Sequence, residues 1–257
     1  MGTVSKALGL IDLLQASSQP LGLTGIARRA GFDKATTRRL LLELVANGYV
    51  EQDPETRDYS LGPALQALGR AREQRFPLYR ALEPSIRALA ERTGETVHAA
   101  EYCAGNLSPI VVIESAKANR VILESGLKLP LHATASGIAF LAASPDAFID
   151  QVCRRVLARY TGATTTDAEA LRRIVAETRQ RGFSLSDQSF EAEVSSVAAA
   201  IRSASGKPVG TIAVAMPTSR MTPEIAFEFG ALVKAQAEEV SARLFGKANG
   251  EPLRKAS

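Results

Sequence analysis

The first sixty residues divide into five short elements, and this division constrains the fold more than any other feature of the chain. Apolar residues recur at three- and four-residue steps over residues 4–14, which predicts an amphipathic helix. Further helices are expected over residues 24–30 and 33–45, with Thr24 and Asp33 as their N-caps. Residues 49–51 and 59–61 flank a polar loop and predict a β-hairpin. Three helices followed by a hairpin are typical of a winged helix-turn-helix.

Basic residues are concentrated in the second and third of these helices. Between Thr24 and Leu42 the sequence has five basic residues and one acid, so this short segment carries the +4 net charge of the whole chain. A solvated helical face is the alternative explanation. However, the charge, the turn spacing and the hairpin together favour a surface that binds the DNA polyanion. The basic residues are Arg28, Arg29, Lys34, Arg38 and Arg39.

The remaining sequence predicts a helical linker followed by an α+β domain. Residues 64–92 read as helix with breaks at Pro77 and Pro84, and an apolar edge there is suited to pairing with a second chain. Strands paired through a hairpin, with helices segregated around them, indicate a sensor-type α+β domain. Strands are expected over 96–102, 109–114, 120–123, 194–201 and 209–216, and helices over 136–143, 145–160, 167–180 and 222–244. The predicted boundaries are 1–62, 63–80 and 81–246, followed by a flexible tail, 247–257.

Composition narrows the class of protein. Two cysteines and two histidines are too few for a Cys/His zinc cluster or a disulfide framework, so neither a metal nor a cofactor is expected. No stretch approaches the length of a membrane-spanning helix and no signal peptide is recognisable. The sequence therefore predicts a cytoplasmic protein without a membrane partner.

An ordered set of motifs resembles the isocitrate lyase regulator (IclR) family. Residues 4–14 resemble the opening helix of that family, IARRAGFDKATTRRLL at 26–41 resembles its helix-turn-helix, and NGYV at 47–50 with YSLG at 59–62 resembles its wing. Further landmarks are TGET at 93–96, PLHATASG at 130–137, RGF at 181–183 and VAA at 197–199. The resemblance implies a bacterial transcriptional repressor. Its parts are a winged helix-turn-helix, a helical linker and a GAF-like effector-binding domain, assembled as a homodimer or a dimer of dimers on a palindromic operator.

The third helix is expected to enter the major groove of double-stranded DNA. Its first turn has short side chains that let the helix sit deeply, and Arg38 and Arg39 are suited to a phosphate and a guanine. Ordinary helix filling is the alternative for the threonines, and a solvated loop charge is the alternative for Arg57 at the wing tip. The predicted DNA contacts are Thr24, Lys34, Thr36, Thr37, Arg38, Arg39 and Arg57.

A small organic acid is the expected effector. The loop before the helix at residue 136 offers free N–H groups to a carboxylate, although a plain N-cap by Thr134 or Ser136 is the alternative. The resemblance places the pocket at this loop, at Ser186 and Asp187, and at Ser196, for which a backbone-bonded sheet serine is the alternative. Aligned positions that hold serine in a glyoxylate- and pyruvate-sensing member are alanine here, which favours a larger or less polar ligand such as an aromatic acid. The predicted effector contacts are Thr134, Ala135, Ser136, Gly137, Ser186, Asp187, Ser196, Ala213 and Ala215.

Two other functions remain open from the sequence. Ser136 with His132 raises the possibility of a hydrolase with an N-terminal nucleic-acid module, but no Gly-x-Ser-x-Gly elbow surrounds Ser136. A regulator whose C-terminal domain only oligomerises is the third alternative. A ligand titration against thermal stability separates that alternative from an effector-binding regulator.

Overall fold

The computed structural model describes residues 1–75, 78–124 and 126–246. The chain forms two compact units, Met1–Leu78 with Glu124–Leu127, and Tyr79–Leu123 with Lys128–Ser257. The predicted break at Pro77 and the predicted tail 247–257 lie outside the described residues. Within the described ranges, no helix has both the length and the apolar character needed to cross a membrane.

The N-terminal unit is a winged helix-turn-helix, as the sequence predicts. Helices α1, α2 and α3 enclose a core that includes Leu10, Ile26 and Leu41, all inaccessible to solvent. Strands β1 and β2 pair antiparallel, with Glu51 opposite Ser60. The elements are α1 (Thr3–Gln15), α2 (Leu23–Ala30), α3 (Lys34–Ala46), β1 (Val50–Gln52), β2 (Tyr59–Leu61) and α4 (Ala64–Arg75).

The N-caps of α2 and α3 differ from each other. Asp33 caps α3 as predicted, because its side chain accepts a hydrogen bond from the Thr36 N–H at 2.7 Å. The prediction that Thr24 caps α2 is wrong. That helix begins one residue earlier, and its N-cap is Gly22, whose side chain offers no oxygen. Thr24 therefore lies within the first turn of α2.

The C-terminal unit is an α+β domain built on one six-stranded sheet. The strand order is β5-β4-β3-β8-β7-β6, and every neighbouring pair is antiparallel. The strands are β3 (Thr96–Cys103), β4 (Asn106–Ile113), β5 (Leu129–Pro130), β6 (Ser184–Asp187), β7 (Val194–Arg202) and β8 (Pro208–Pro217). The helices are α5 (Leu78–Thr93), α6 (Ala135–Ala143), α7 (Asp146–Cys153), α8 (Ala168–Arg181) and α9 (Pro223–Phe245).

Helix α6 packs on the sheet face that carries His98, Tyr102 and Ala213. The Tyr102 and Phe140 rings stack at 4.8 Å, and His98 lies beside Ser136. Since residues 136 and 140 of α6 meet residues 98 and 102 of β3, the helix runs along β3 in the same direction. Its N-terminus therefore points towards the Thr96 end of that strand.

Several local predictions for this domain are wrong. Residues 120–123 form no strand, and the Val121 carbonyl instead accepts from the Thr96 hydroxyl at 2.7 Å. The helix expected over 145–160 begins at Asp146, after its N-cap Pro145, and ends at Cys153. The helical spacing of apolar residues continues in the sequence as far as Val156. However, this side chain is 97% exposed, so packing does not stabilise a longer helix.

Pro84 does not interrupt α5. A proline inside a helix removes one backbone hydrogen bond, but the buried stripe of α5, which includes Leu82, Ile86 and Leu89, lies on both sides of Pro84. Burial of that stripe outweighs the lost hydrogen bond. The sequence analysis also missed β5 and β6, which have only two and four residues.

Candidate functional site

The first turn of α3 is organised by the cap at Asp33. The carboxylate accepts from both the N–H and the hydroxyl of Thr36, each at 2.7 Å. These hydrogen bonds lower the pKa of Asp33, so the only acid of the basic segment is ionised at neutral pH. The cap holds the side chain of Thr36 and fixes the start of the helix on which Lys34, Arg38 and Arg39 stand exposed.

Thr37 lies inside the protein. It is inaccessible to solvent, and its hydroxyl donates to the Asp33 carbonyl at 2.9 Å. This location leaves Thr37 without a surface for DNA, so the expected contact is corrected to a role within the helix-turn-helix core. Leu40, Leu41 and Leu44 continue the same buried stripe of α3.

Three of the predicted DNA contacts share one concave surface of the N-terminal unit. Thr24, Arg38 and Arg57 line a cavity of about 360 Å³ together with residues 22, 23 and 25. Gly22 provides no side-chain cap for the first N–H groups of α2, but the Asp58 carboxylate also lines the cavity, with its Oδ1 3.1 Å from the position of a β-carbon on Gly22. Two guanidinium groups and a helix N-terminus therefore meet at this surface, together with one carboxylate.

The wing presents Arg57 in an unusual backbone conformation. Its φ angle is +64°, a left-handed value that side chains other than glycine, asparagine and aspartate adopt infrequently. The turn is stabilised by Asp53, whose side chain accepts from the N–H groups of Glu55 and Thr56 at 2.8 and 2.7 Å. The Arg57 carbonyl accepts from the Gln52 side-chain amide at 2.8 Å, which fixes the direction of the wing tip.

The predicted effector loop forms the N-terminus of α6. Thr134 is the N-cap: its hydroxyl donates to the Pro130 carbonyl at 3.0 Å and accepts from the Gly137 N–H at 2.9 Å. The Gly137 N–H is therefore already used by the cap, and the N–H groups of Ala135 and Ser136 are the ones that precede the intrahelical ladder. Gly137 is required for packing, because the Leu131 backbone occupies the place of a β-carbon.

Ser136 is buried against His98. The His98 Nε2 lies 3.2 Å from the Ser136 hydroxyl, and burial lowers the pKa of His98 to about 4, so the ring is neutral at physiological pH. The Nδ1 atom is also buried and has no hydrogen-bond partner among the described residues.

Four side chains form a row across the same sheet face. Ser186 pairs with Ser196, Ser196 with Ala215, and Ala215 with Thr96, so their side chains point to one side of four adjacent strands. A strand advances about 3.3 Å per residue, so this sheet row lies roughly 7 Å beyond the row that contains His98, towards the N-terminus of α6. The structure therefore brings Ser186, Ser196 and Ala215 together near the N-terminus of α6.

Two predicted effector residues do not join the sheet row. Ala213 is inaccessible and packs under α6 in a core cluster with Ala135, Ala139 and Ala198. Asp187 points to the opposite face, because successive strand residues alternate, and its carboxylate accepts from Ser195 at 2.6 Å. Both expectations are corrected to structural roles.

Residues around the sheet row were not predicted from the sequence. Thr96 holds the segment 115–121 by accepting from the Ser115 N–H at 3.1 Å and donating to Val121. Tyr160 and Phe190 have ring centroids 4.9 Å apart; Phe190 follows the end of β6 in the sequence, and the Tyr160 ring lies 5.9 Å from the ring of His132 in the loop before α6. No local pattern marks them, because each depends on contacts between distant parts of the chain.

The chemistry of this region suits hydrogen bonding to a small polar ligand. No group of three or more histidine, cysteine, aspartate or glutamate side chains with metal-binding geometry occurs in the part of the chain that the structure describes. The sheet row offers hydroxyls and a methyl, and the loop offers N–H donors.

Two family models match the chain. The model for the IclR helix-turn-helix domain matches residues 3–54, and the model for the C-terminal part of the bacterial transcriptional regulator IclR matches residues 72–242. The two matches together include the basic segment, α6 and the sheet row.

Individual relatives cover nearly the whole chain. The transcriptional repressor IclR of Escherichia coli K12 is 31% identical over 242 residues, which is 93% of this chain and 88% of that protein. The crystal structure of a candidate IclR transcriptional regulator from Silicibacter sp. TM1040 is 38% identical with a TM-score of 0.83, covering 96% of this chain and 97% of that one. An IclR homologue from Microbacterium hydrocarbonoxydans, crystallised with 4-hydroxybenzoate, shares the fold at 22% identity with a TM-score of 0.77, covering 94% of this chain and all of that one.

Proposed function

This chain belongs to the IclR family of bacterial transcriptional regulators, and on that premise we propose that it is a repressor whose operator affinity is controlled by a small organic acid. The protein acts as a homodimer, or a dimer of dimers, on a palindromic DNA site. The observation that carries the proposal is the concave surface of the N-terminal unit, where Thr24, Arg38 and Arg57 converge.

The DNA contacts divide into two kinds. Arg38, Arg57 and the N–H groups at the start of α2 form a phosphate clamp on the cavity of the N-terminal unit. Lys34, Thr36 and Arg39 stand on the first turns of α3, and Arg39 is the candidate for reading a guanine. Because Asp33 already engages the Thr36 hydroxyl, the Thr36 methyl is the part available to a thymine.

Binding to an operator enriched from random-sequence DNA tests this assignment. Arg38→Ala should weaken binding to all sequences and reduce the slope of log affinity against log salt by about one unit. Arg39→Ala should relax base preference at one position. Arg173→Ala is a matched control, since Arg173 is an exposed arginine on α8 in the other unit. Unchanged affinity and salt slope in both α3 variants would overturn the assignment.

Dimer formation is proposed to involve α1 and α4. Helix α4 has no buried residue within the chain, and Leu68 on it is 55% exposed. Val4 and Leu8 form an exposed apolar pair one turn apart on α1. Such surfaces are typical of helices that pack against a second protomer. Leu68→Glu should shift the protein to monomers in analytical ultracentrifugation and abolish operator binding at nanomolar concentration.

The effector is proposed to bind between the α6 N-terminus and the sheet row. The N–H groups of Ala135 and Ser136 would take the carboxylate, since a helix N-terminus favours an anion. Ser196 and Ser186 would add neutral hydrogen bonds, and Ala215 leaves space where a serine would favour a smaller oxo-acid. Tyr160 and Phe190 lie beside this region and suit a ring. The ligand bound by the Microbacterium homologue supports an aromatic acid.

A melting-shift screen with 4-hydroxybenzoate, benzoate, pyruvate and glyoxylate tests the effector class. An aromatic acid should raise the melting temperature of the full chain and change its operator affinity. Ser196→Leu should abolish both effects and leave operator binding without ligand unchanged. Ser195→Ala is the matched control, because Ser195 lies one residue away on the opposite sheet face. A full response in Ser196→Leu would place the pocket elsewhere.

A further inference from the structure

The C-terminal unit has a cavity at the unpaired edge of β7. The pairing of β6 with β7 stops at Ser184 and Ala198, whereas β7 continues to Arg202. Residues of α6, α9 and the end of α8 surround this unpaired edge. Together with β7 they line a cavity of about 430 Å³, a volume in the range of small-molecule sites. The sheet row at Ser196 does not line it.

Three cationic side chains line this cavity, against one acid, Glu238. Each nitrogen of the Arg179 guanidinium donates a hydrogen bond, to the Ala142 carbonyl, the Ser144 carbonyl or the Asp146 carboxylate. Arg202 and Lys234, in contrast, keep nitrogens that donate no hydrogen bond to the described residues. The Arg202 Nη1 donates to the Ala143 and Gly206 carbonyls, while its other two nitrogens, like the Lys234 ammonium, find no acceptor among the described residues.

The backbone at the end of α8 makes room for Lys234. Gly182 has a φ angle of +86°, and a β-carbon there would lie 2.8 Å from the Lys234 Cε. Glycine therefore lets the lysine stem lie across the helix end, beside the other walls of the cavity. Partial burial and the nearby Arg179 guanidinium lower the pKa of Arg202.

The rest of the cavity wall is mostly apolar. Thr178 contributes to it, but its hydroxyl is inaccessible to solvent and therefore out of reach of a ligand in the cavity. Phe183 and several alanines supply an apolar wall, including Ala139, Ala199 and Ala237.

We propose that this cavity binds a small organic anion, with its carboxylate or phosphate on Arg202 and Lys234 and its apolar body against Phe183. This ligand site is independent of the effector site proposed above. The donors are a guanidinium and an ammonium, which together match the oxygens of a carboxylate or phosphate. A neutral ligand would leave the two cations unpaired.

Calorimetric titration of the full chain with benzoate and with phenyl phosphate, at constant ionic strength, tests the proposal. Both probes are titrated into the Ser196→Leu variant, so that the first site does not contribute. At least one probe should bind with a stoichiometry of one per chain, and the probe that binds identifies a carboxylate or a phosphate ligand. No heat of binding from either probe at millimolar concentrations would overturn the proposal.

Further variants locate the site. In the same background, Lys234→Gln should weaken binding at least about tenfold, as expected for loss of a charge-assisted hydrogen bond. Arg173→Gln, an exposed change on α8 outside the cavity, should leave binding unchanged. Arg202→Gln should also weaken binding, because it removes the second cation of the site. Affinity unchanged from the parent in both Lys234→Gln and Arg202→Gln would also overturn the proposal.

Discussion

The Nε2 atom of His98 lies 3.2 Å from the hydroxyl of Ser136, and this contact joins β3 to the first turn of α6. The helix turn involved is the one whose N–H groups are proposed to hold the effector carboxylate. Because the imidazole is buried and neutral, it supports the turn without placing a positive charge next to the ligand. The anion-binding character of the proposed pocket then comes from the helix N-terminus.

Acidification should destabilise the protein through His98. The pKa of His98 is about 4 in the folded protein and about 6.5 in an unfolded chain, so the unfolded state takes up the proton first as the pH falls. The free energy of unfolding therefore falls by up to about 3 kcal/mol as the pH decreases from the unfolded-state pKa to the folded-state pKa, and His98 causes no further loss below the lower pKa. His98→Gln should flatten this decline. Melting temperatures of both proteins at several pH values between 7 and 4 provide the measurement, and parallel curves would contradict the assignment.

Glu95 should contribute more to stability than an exposed carboxylate in a similar ion pair. It is 1% exposed and accepts from Arg220 at 2.6 and 2.8 Å and from Lys117 at 2.7 Å. Burial opposes its ionisation, but these hydrogen bonds outweigh burial and lower the pKa of Glu95. Glu95→Gln should reduce the free energy of unfolding by about 2 kcal/mol at pH 7, since it weakens buried charge-assisted hydrogen bonds.

The matched control for Glu95 is Glu114, whose pair with Arg120 is substantially exposed. Glu114→Gln should change stability by no more than about 0.5 kcal/mol. The advantage of wild type over Glu95→Gln should also shrink as the pH falls through the lowered pKa of Glu95, because wild type then loses the charge. Urea unfolding at pH 7 and at lower pH measures both effects. Equal losses in the two variants would contradict the special role of Glu95.

The C-terminal unit should fold without the DNA-binding unit. The boundary predicted from the sequence starts this domain at residue 81, which would remove the first turn of α5. A fragment of residues 78–257 retains the whole helix, including Leu82 and Ile86 of its buried stripe. We expect it to be soluble and folded, with a cooperative thermal transition in circular dichroism. An unfolded or aggregated fragment would show that the N-terminal unit is needed for folding.

Sequence patterns predicted the N-terminal unit better than the C-terminal unit, and the reason is the range of the interactions. The α3 cap at Asp33 is a local signal between residues three apart, and it was found. Strand β6 exists because Ser184 pairs with Ala198, and the burial of Thr37 depends on packing against other helices. Family resemblance supplied Ser186, Ser196 and Ala215, but it could not show that Asp187 faces the other side of the sheet.

Two substitutions at Asp33 should distinguish its effect as an N-cap on the stability of α3 from the effect of its charge on DNA binding. Asp33→Asn keeps a side-chain oxygen that can accept from the Thr36 N–H, whereas Asp33→Ala removes the cap. Only Asp33→Ala should therefore lower the melting temperature clearly. Both changes remove the single acid of the basic segment, so Asp33→Asn should strengthen binding to non-specific DNA at low salt, and high salt should reduce this gain. Fluorescence anisotropy with a random-sequence duplex measures the affinity. A weaker affinity in the Asn variant would indicate that the Asp33 charge is needed to orient the first turn of α3.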